Sequence, residues 1–281
     1  MSEKWLPGDM ACQQRGDQVM YCKTALVDQS LWPDRKDRWL KALTAVSSSA
    51  HTRVYRGDIV GRAGQLSVYL KEFIDRGFTE RVKQLVKPHR ALRAARADSR
   101  LNRCGFTAPT LVAIGYRQRR LTRTGFFMIT EALDDYQDLY QWCAHLAGLT
   151  VASRRQRLRA LAIAVAQLHR AGFSHGDLRP GNVLAKQDAQ GNWHWAYLDN
   201  ERTQQHRRLP MKLRKKNLVQ LNMLRSPNLT RRDRLFFFLC YGQHFPDIDQ
   251  RKLLSRITNT TRQRLDRLVR RGRLSAEEAA L

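Results

Sequence analysis

A chain of 281 residues that is 42% hydrophobic can bury a sizeable core, and none of its apolar runs approaches the roughly 20 residues that span a bilayer. Its five scattered cysteines lack a CxxC pair, which argues against a disulfide framework or a zinc site and favours a reducing, cytoplasmic compartment. The formal net charge of +26 predicts attraction to polyanions such as nucleic acid, anionic lipid headgroups or phosphorylated glycolipids. A solvated basic surface without a specific partner is the simpler alternative.

The first fifty residues carry weak structural signals. Residues 1–30 have no readable periodicity and predict a mobile lead-in, and residues 33–47 are compatible with a helix docked on a small lobe. The chain is therefore divided into a lead-in and helix over residues 1–50, a small lobe over 51–131 and a larger lobe over 132–281.

The next segment predicts two paired strands that carry a lysine. Residues 52–60 are expected to pair, through a turn at 61–65, with the alternating stretch Ser67 to Phe73. Lys71 lies near the end of the second strand, where a lysine in an apolar strand is unfavourable unless its charge is used. A lysine at a sheet edge in solvent is the alternative interpretation.

Two stretches before Lys71 are candidates for holding phosphate, because no GxGxxG motif precedes the lysine. They are residues 47–50 and the group of Gly57, Gly61 and Gly64. After the lysine, residues 89–104 predict a helix. Its basic residues share one face and are Arg93, Arg96, Arg100 and Arg103.

The most informative stretch is HGDLRPGN, from His175 to Asn182. Asp177 and Asn182 lie five residues apart on one tight loop, and Asp199 follows at the end of an apolar run. One carboxylate that orients a hydroxyl and two oxygen ligands that hold magnesium are what a phosphoryl-transfer site needs. Arg179 either contacts the transferring phosphoryl group or pairs with a local carboxylate.

The context of this loop strengthens the prediction. Ser153 can cap a helix that Gly172 ends, and the apolar residues of that helix recur at helical spacing. Short strands are expected at residues 183–184 and 195–198, around a turn at 188–192. Taken singly, the same Asp and Asn residues are ordinary turn and cap formers.

Basic residues are concentrated in two further places. Those following Asp199 are Arg202, Arg207, Arg208, Lys212, Arg214, Lys215 and Lys216. Residues 251–273 are basic with an apolar stripe made of Leu253, Leu254, Ile257, Leu265, Leu268 and Val269. This amphipathic tail can pack on the large lobe or lie on a membrane surface, and packing is expected.

Six segments spanning roughly residues 50–245 resemble, in order, the lipopolysaccharide inner-core sugar kinases, the Kdo and heptose kinases of Gram-negative bacteria. The segments are VYLKEFIDRG at 68–77, GFTAPTLVAIG at 105–115, FFMITEALDD at 126–135, HRAGFSHGDLRPGNVL at 169–184, YLDNER at 197–202 and LTRRDRLFFFLCYG at 229–242. The resemblance implies an α+β, bilobal protein-kinase-like fold with a small β-rich lobe and a larger, mainly helical lobe.

The resemblance also implies roles for individual residues. Lys71 would bind phosphate, Asp177 would be the catalytic base, and Asn182 and Asp199 would be the magnesium ligands, with ATP and magnesium as cofactors. A hinge over Glu131 to Leu133 would meet the adenine through backbone groups.

Two positions depart from the pattern of protein kinases. A kinase-like lysine is normally held by a glutamate on the next helix, but Ala94 stands at that position, leaving Glu80, Asp98 or another arrangement. Gly176 stands where regulated protein kinases carry an arginine that binds activation-loop phosphate. Together with the lack of an APE-like sequence after Asp199, this favours a small-molecule or glycan kinase.

The sequence therefore predicts a kinase that phosphorylates a sugar hydroxyl of the lipopolysaccharide inner core. Its expected partner is the anionic glycolipid at the cytoplasmic face of the inner membrane, with peripheral attachment, rather than nucleic acid. The sequence leaves the oligomeric state open. A Ser/Thr/Tyr protein kinase is the nearest alternative enzyme, and a pseudokinase that binds an anionic lipid or nucleic acid without catalysis is the alternative from another class.

Overall fold

The computed structural model describes Leu6 and residues 9–27, 43–74, 88–119 and 122–280. The chain divides into two compact units, Met1–Leu133 and Asp134–Leu281. The first is built on a β-sheet with a helix, and the second is mainly helical.

Seven antiparallel strands form the sheet of the first unit within its described residues. They are β1 (Met10–Arg15), β2 (Gln18–Lys23), β3 (Thr44–Ser49), β4 (Thr52–Gly61), β5 (Gly64–Phe73), β6 (Leu111–Arg119) and β7 (Thr122–Glu131). Their order across the sheet is β1-β2-β6-β7-β5-β4-β3. The strand that carries Lys71 therefore lies inside the sheet, between β7 and β4.

The predicted hairpin around Lys71 is confirmed as β4 and β5. Successive side chains of β5 point to opposite faces of the sheet, and each face carries its own apolar cluster. Val68 and Leu70 belong to one cluster, and Phe73 belongs to the other. Lys71 shares its side of the strand with Phe73, and its Nζ lies 5.4 Å from the centre of that ring. The alternative of a lysine at a sheet edge is wrong, because β5 is paired on both sides.

The assignment of the first fifty residues differs from the structure. Residues 10–23, expected in a lead-in, form the β1–β2 hairpin, and β2 pairs with β6 inside the sheet. The strands are only six residues long, so they show little periodicity, and the one local signal is the turn glycine Gly16 with φ +55°. The helix expected over residues 33–47 lies largely outside the described residues, and its last part is strand β3.

The helix expected over residues 89–104 is confirmed as α1 (Arg90–Arg103). The side chain of His89 caps it by accepting a bond from Ala91 N at 3.2 Å. Its apolar face is buried against β6 and β7, and its buried apolar residues are Ala91, Leu92, Ala94, Ala95, Ala97 and Leu101. The opposite face carries the predicted arginines, of which Arg93, Arg96 and Arg103 are exposed and Arg100 is half-buried.

The described residues of the second unit form helices and two small sheets. Its helices are α2 (Leu139–Ala144), α3 (Val151–Arg170), α4 (Met211–Leu221), α5 (Arg231–Gly242), α6 (Gln250–Arg270) and α7 (Ala276–Ala280). Its strands are β8 (Gln137–Asp138), β9 (Phe173–Ser174), β10 (Val183–Gln187), β11 (Trp193–Tyr197) and β12 (Gln204–Gln205). β10 pairs with β11 and β8, and β9 pairs with β12.

Helix α3, which precedes the HGDLRPGN loop, begins earlier than predicted. Thr150 rather than Ser153 is the N-cap, because the Thr150 hydroxyl accepts a bond from Ser153 N at 3.2 Å. The predicted end is confirmed, since Gly172 follows the last turn with φ +83°. Its amphipathic spacing is also confirmed, because the core-facing residues Leu158, Leu161, Val165 and Leu168 are all buried.

The amphipathic tail is packed on the protein. Its residues form α6, which contacts α4 and buries Leu253, Ile257 and Leu265. Helices α2 to α7 line a cavity of about 650 Å³ whose walls are mainly apolar but also include charged residues, among them Arg225, Arg234 and Arg262. Across the described part of the chain, every helix is too short or too polar to cross a membrane.

Candidate active site

Asp177 lies on the loop between β9 and β10, and its carboxylate is held from two directions. Arg179 donates from Nε to Oδ1 at 2.8 Å and from Nη2 to Oδ2 at 2.7 Å. Gln220 of α4 donates from Nε2 to Oδ1 at 3.1 Å. The carboxylate is therefore oriented before any substrate binds.

The guanidinium of Arg179 forms a local ion pair, which is one of the two interpretations of this residue. Its bidentate contact with Asp177 is the geometry that fixes a carboxylate plane. The Arg179 side chain is 64% exposed, and that of Asp177 only 18%. A contact between Arg179 and a transferring phosphoryl group stays a prediction.

Asn182 and Asp199 come from two chain segments that are bonded to each other. Asn182 donates from Nδ2 to the carbonyl of Asp177 at 2.9 Å, and its own carbonyl accepts from Leu198 N at 2.9 Å. Asp199 adopts the left-handed conformation with φ +57°, the one positive φ among the described non-glycine residues. Its carboxylate and the Asn182 amide oxygen are hard donors of the kind that magnesium prefers, so the residues present fit that ion.

The loop is fastened to helix α4 by two side-chain amides that the sequence analysis missed. His175 N donates to Asn217 Oδ1 at 3.1 Å, and Leu178 N donates to Gln220 Oε1 at 3.2 Å. Both amides are buried. The available signal was two polar residues three positions apart with the apolar Leu218 and Val219 between them, a pattern that also fits the solvated face of a helix.

Two buried histidines brace this network. His169 bonds to the Tyr241 hydroxyl at 2.9 Å and to Asn217 Oδ1 at 3.3 Å. Burial, with help from nearby Arg214, lowers the pKa of His169 to about 3. Burial also lowers the pKa of His175 to about 4, against the opposing influence of Asp177 and Asp199. Both imidazoles are neutral at physiological pH, which agrees with a bracing rather than a proton-transferring role for His175.

Gly176 has no room for a side chain. Its φ is +77°, and a Cβ there would lie 2.5 Å from the carbonyl oxygen of Arg202. The arginine that binds activation-loop phosphate in regulated protein kinases therefore cannot be placed at this position without moving the backbone after Asp199.

The geometry around Lys71 distinguishes the two phosphate-binding candidates. Lys71 pairs with Val54, two residues from the end of β4 that adjoins the β3–β4 turn. In that turn, Ser49 Oγ accepts bonds from His51 N at 3.2 Å and Thr52 N at 3.1 Å. Gly61 and Gly64 face each other at the opposite end of the hairpin, roughly 20 Å from Lys71 at about 3.3 Å per residue. The candidate over residues 47–50 is therefore the nearer one.

Of the two acidic residues considered as partners of Lys71, the structure describes Asp98 but not Glu80. Glu80 lies outside the described residues. Asp98 is buried on α1, and Ala94 occupies the buried position where a glutamate was expected. The hinge segment is anchored to its neighbours, since Glu131 N donates to Thr110 O and Ala132 N to Ser67 O, each at 2.9 Å.

The basic residues after Asp199 do not form one surface. Arg214 is buried in α4, where its Nη1 donates to the Tyr241 hydroxyl at 2.7 Å and its guanidinium lies 3.7 Å from the ring centre of Phe245. Arg214, which the sequence placed among the basic residues following Asp199, is therefore part of the core and not of the basic surface. The exposed members are Arg202, Arg207, Arg208 and Lys212, whereas Lys215 and Lys216 are half-buried.

We predict that the buried histidines destabilise the fold as the pH falls. Their pKa values are about 3 and about 4 in the folded protein and about 6.5 in an unfolded chain, so the unfolded state binds more protons below about pH 6.5. Each should remove up to about 1.4 kcal/mol of unfolding free energy per pH unit. Urea unfolding near pH 7 and near pH 5 measures this loss. His169→Gln should reduce the pH slope, and an equal slope in the variant would contradict the assignment.

The sequence and the fold of this chain are similar to those of known proteins. A sequence model described as lipopolysaccharide kinase (Kdo/WaaP) family matches residues 36–241. A solved structure described as WaaP in complex with acyl carrier protein is similar over 84% of this chain and 97% of that chain, with a TM-score of 0.61 and 23% identity. The similarity to this solved structure confirms the protein-kinase-like fold. A comparison with curated proteins found no match to the sequence. The chain belongs to the lipopolysaccharide kinase (Kdo/WaaP) family, and is an ATP-using kinase for sugar hydroxyls of the lipopolysaccharide core.

Proposed function

We propose that the acceptor is a heptose or Kdo hydroxyl of the inner core, and that the reaction depends on magnesium. The observation that carries the proposal is the carboxylate of Asp177, which is held by Arg179 and Gln220 on a loop bonded to the segment that ends at Asp199. An oriented base beside two oxygen ligands is the arrangement required for transfer of a phosphoryl group to a hydroxyl.

Each residue has a separate role in this proposal. Asp177 orients the sugar hydroxyl and accepts its proton as the oxygen attacks the terminal phosphorus of ATP, whose bond to the bridging oxygen breaks to release ADP. Asn182 and Asp199 would hold magnesium through their side-chain oxygens, and the ion when bound neutralises charge on the phosphates. Lys71 of the first unit would contact the nucleotide phosphates, and its place inside the sheet fixes its backbone.

Two segments of the first unit would bind the nucleotide besides Lys71. Backbone groups of Glu131 and Leu133 would meet the adenine, supported by the anchoring of this segment to Thr110 and Ser67. Residues 47–50, with the turn that follows them, would lie over the phosphates, because this turn adjoins the end of the hairpin that carries Lys71.

The acceptor would be recognised by charge. Inner-core sugars carry carboxylates and phosphates, and the exposed basic residues that follow Asp199 suit such groups. They are Arg202, Arg207, Arg208 and Lys212.

We predict that Asp177→Asn lowers phosphorylation of lipopolysaccharide by about 10²- to 10⁴-fold, because the amide cannot accept the hydroxyl proton. The measurement is transfer from labelled ATP to lipopolysaccharide that lacks core phosphate. Asp188→Asn is the matched control, since Asp188 is an acidic turn residue bonded to His194 at 2.9 Å, and its replacement should leave the rate unchanged.

The same assay separates the alternatives. Labelling of generic protein substrates in place of lipopolysaccharide would indicate a protein kinase. Nucleotide binding without turnover by the unaltered protein would indicate a pseudokinase. Equal rates for Asp177→Asn and the unaltered protein would overturn the mechanism.

We further propose peripheral contact with an anionic membrane through one face of α5. Leu235 and Leu239 are one turn apart and are 45% and 53% exposed. Beside them, the guanidinium groups of Arg155 and Arg159 lie 5.4 and 5.9 Å from the ring centre of Phe236. Exposed aliphatic side chains flanked by arginine support binding at the headgroup boundary of a bilayer.

Vesicle sedimentation tests this contact. Binding to vesicles that contain phosphatidylglycerol should exceed binding to neutral vesicles, and the double change Leu235→Ser and Leu239→Ser should reduce it several-fold. The control replaces Val46 and Val60, exposed valines of the first unit at 54% and 82%, with serine. An equal reduction in both variants would contradict the assignment to α5.

The apolar cavity supports an acyl group as a second ligand. The similar WaaP structure contains acyl carrier protein, a carrier of acyl chains by its name. The cavity volume of about 650 Å³ lies in the range of small-molecule sites. Its apolar lining includes Leu158, Leu161, Leu218, Leu221 and Ile257. We propose that an acyl chain delivered by acyl carrier protein enters it.

Thermal unfolding tests the acyl proposal. Acylated carrier protein should raise the Tm of the chain, and unacylated carrier protein should not. Ile257→Trp, which fills the cavity, should remove the increase, whereas Val269→Trp at a half-buried site on the same helix should retain it. A Tm increase that is independent of the acyl group would contradict binding in the cavity.

A further inference from the structure

Gln220 makes four hydrogen bonds to the catalytic loop and its support. Its Nε2 donates to Asp177 Oδ1 at 3.1 Å and to the carbonyl of Gly176 at 3.2 Å. Its Oε1 accepts from Leu178 N at 3.2 Å and from Asn217 Nδ2 at 3.1 Å. A single buried side chain therefore contacts three consecutive residues of the loop, with the catalytic carboxylate in the centre.

The orientation of this amide follows from its neighbours. A backbone N–H such as that of Leu178 can only donate, so the group that faces it must be the oxygen of Gln220. The nitrogen must then face Gly176 and Asp177, where a carbonyl and a carboxylate oxygen can only accept. Reversing the amide would turn each of these attractive contacts into a repulsive one.

The bonds to Asp177 distinguish its two oxygens. Oδ1 accepts from Arg179 Nε and Gln220 Nε2, whereas Oδ2 accepts from Arg179 Nη2. A carboxylate oxygen has two acceptor sites, so these contacts use both sites of Oδ1 and one site of Oδ2. The second site of Oδ2 is the one that a substrate hydroxyl can use.

We propose that Gln220 is a positioning residue for the catalytic base. By saturating Oδ1 and bonding to the backbone on both sides of Asp177, it holds the carboxylate so that Oδ2 receives the proton of the sugar hydroxyl. This inference rests on the proposed role of Asp177. It adds a residue of α4 whose side chain acts through Asp177 and does not touch the substrate.

The test is Gln220→Glu, which keeps the shape and the oxygen that faces Leu178. At alkaline pH the new carboxylate cannot donate and repels Asp177, and two adjacent carboxyls that share a proton raise one pKa of the pair. We expect kcat to fall about tenfold or more near pH 8, with KM for ATP unchanged, and the deficit to narrow near pH 6 as the carboxyl regains a proton. A purely structural role would give a deficit that does not depend on pH.

Two further variants make the outcome decisive. Gln204→Glu adds the same charge at an exposed position of β12 and should retain full kcat at both pH values. Gln220→Met removes the donor without adding charge and should lower kcat equally at both. Two results for Gln220→Glu would overturn the positioning role. One is a kcat equal to that of the unaltered protein, and the other is a lowered kcat whose deficit is the same at both pH values. Failure of the unaltered protein to phosphorylate lipopolysaccharide would instead overturn the proposed function.

Discussion

The arrangement of the second unit depends on the hydrogen bonds between the catalytic loop and two amides of α4. A loop of this kind has no ladder of its own to satisfy its backbone N–H groups, and an unsatisfied buried N–H costs about 1–3 kcal/mol. Asn217 and Gln220 accept from His175 N and Leu178 N, and so fix the backbone on both sides of Asp177. Because the same side chains also contact His169 and the Asp177 carboxylate, the helix core and the base form one network.

Although the chain is very basic, the interior around this network contains little unpartnered charge. The interior holds neutral imidazoles at His169 and His175, and the buried cation of Arg214 faces the Phe245 ring and the Tyr241 hydroxyl. Charge that is buried in this way cannot contact an acceptor. The exposed basic residues after Asp199 lie in solvent, where attraction to an anionic acceptor is screened by salt and acts mainly in steering.

Local patterns predicted most of the elements, and they failed where the deciding contact was distant in sequence. The β4–β5 hairpin, α1 and the turn between β10 and β11 follow from alternation, helical spacing and turn residues within a dozen positions. The β1–β2 hairpin was missed because it gains its stability from pairing with β6, nearly a hundred residues later. Thr150 replaced Ser153 as the helix cap, since hydroxyl residues three positions apart are both suitable caps in sequence and only the backbone path separates them.

Asp177, Asn182 and Asp199 could be proposed from the sequence, because phosphoryl transfer requires a base and two oxygen ligands, and side chains of these types lie at a suitable spacing within a short stretch of chain. The contacts that hold these side chains became visible only in the folded protein. Gln220 and Asn217 are unremarkable polar residues until α4 packs against the loop, and Arg214 counts as a surface cation until Tyr241 and Phe245 enclose it. A side chain's hydrogen bonds and burial are set by neighbours that the fold brings together, here across 27 to 43 residues of chain.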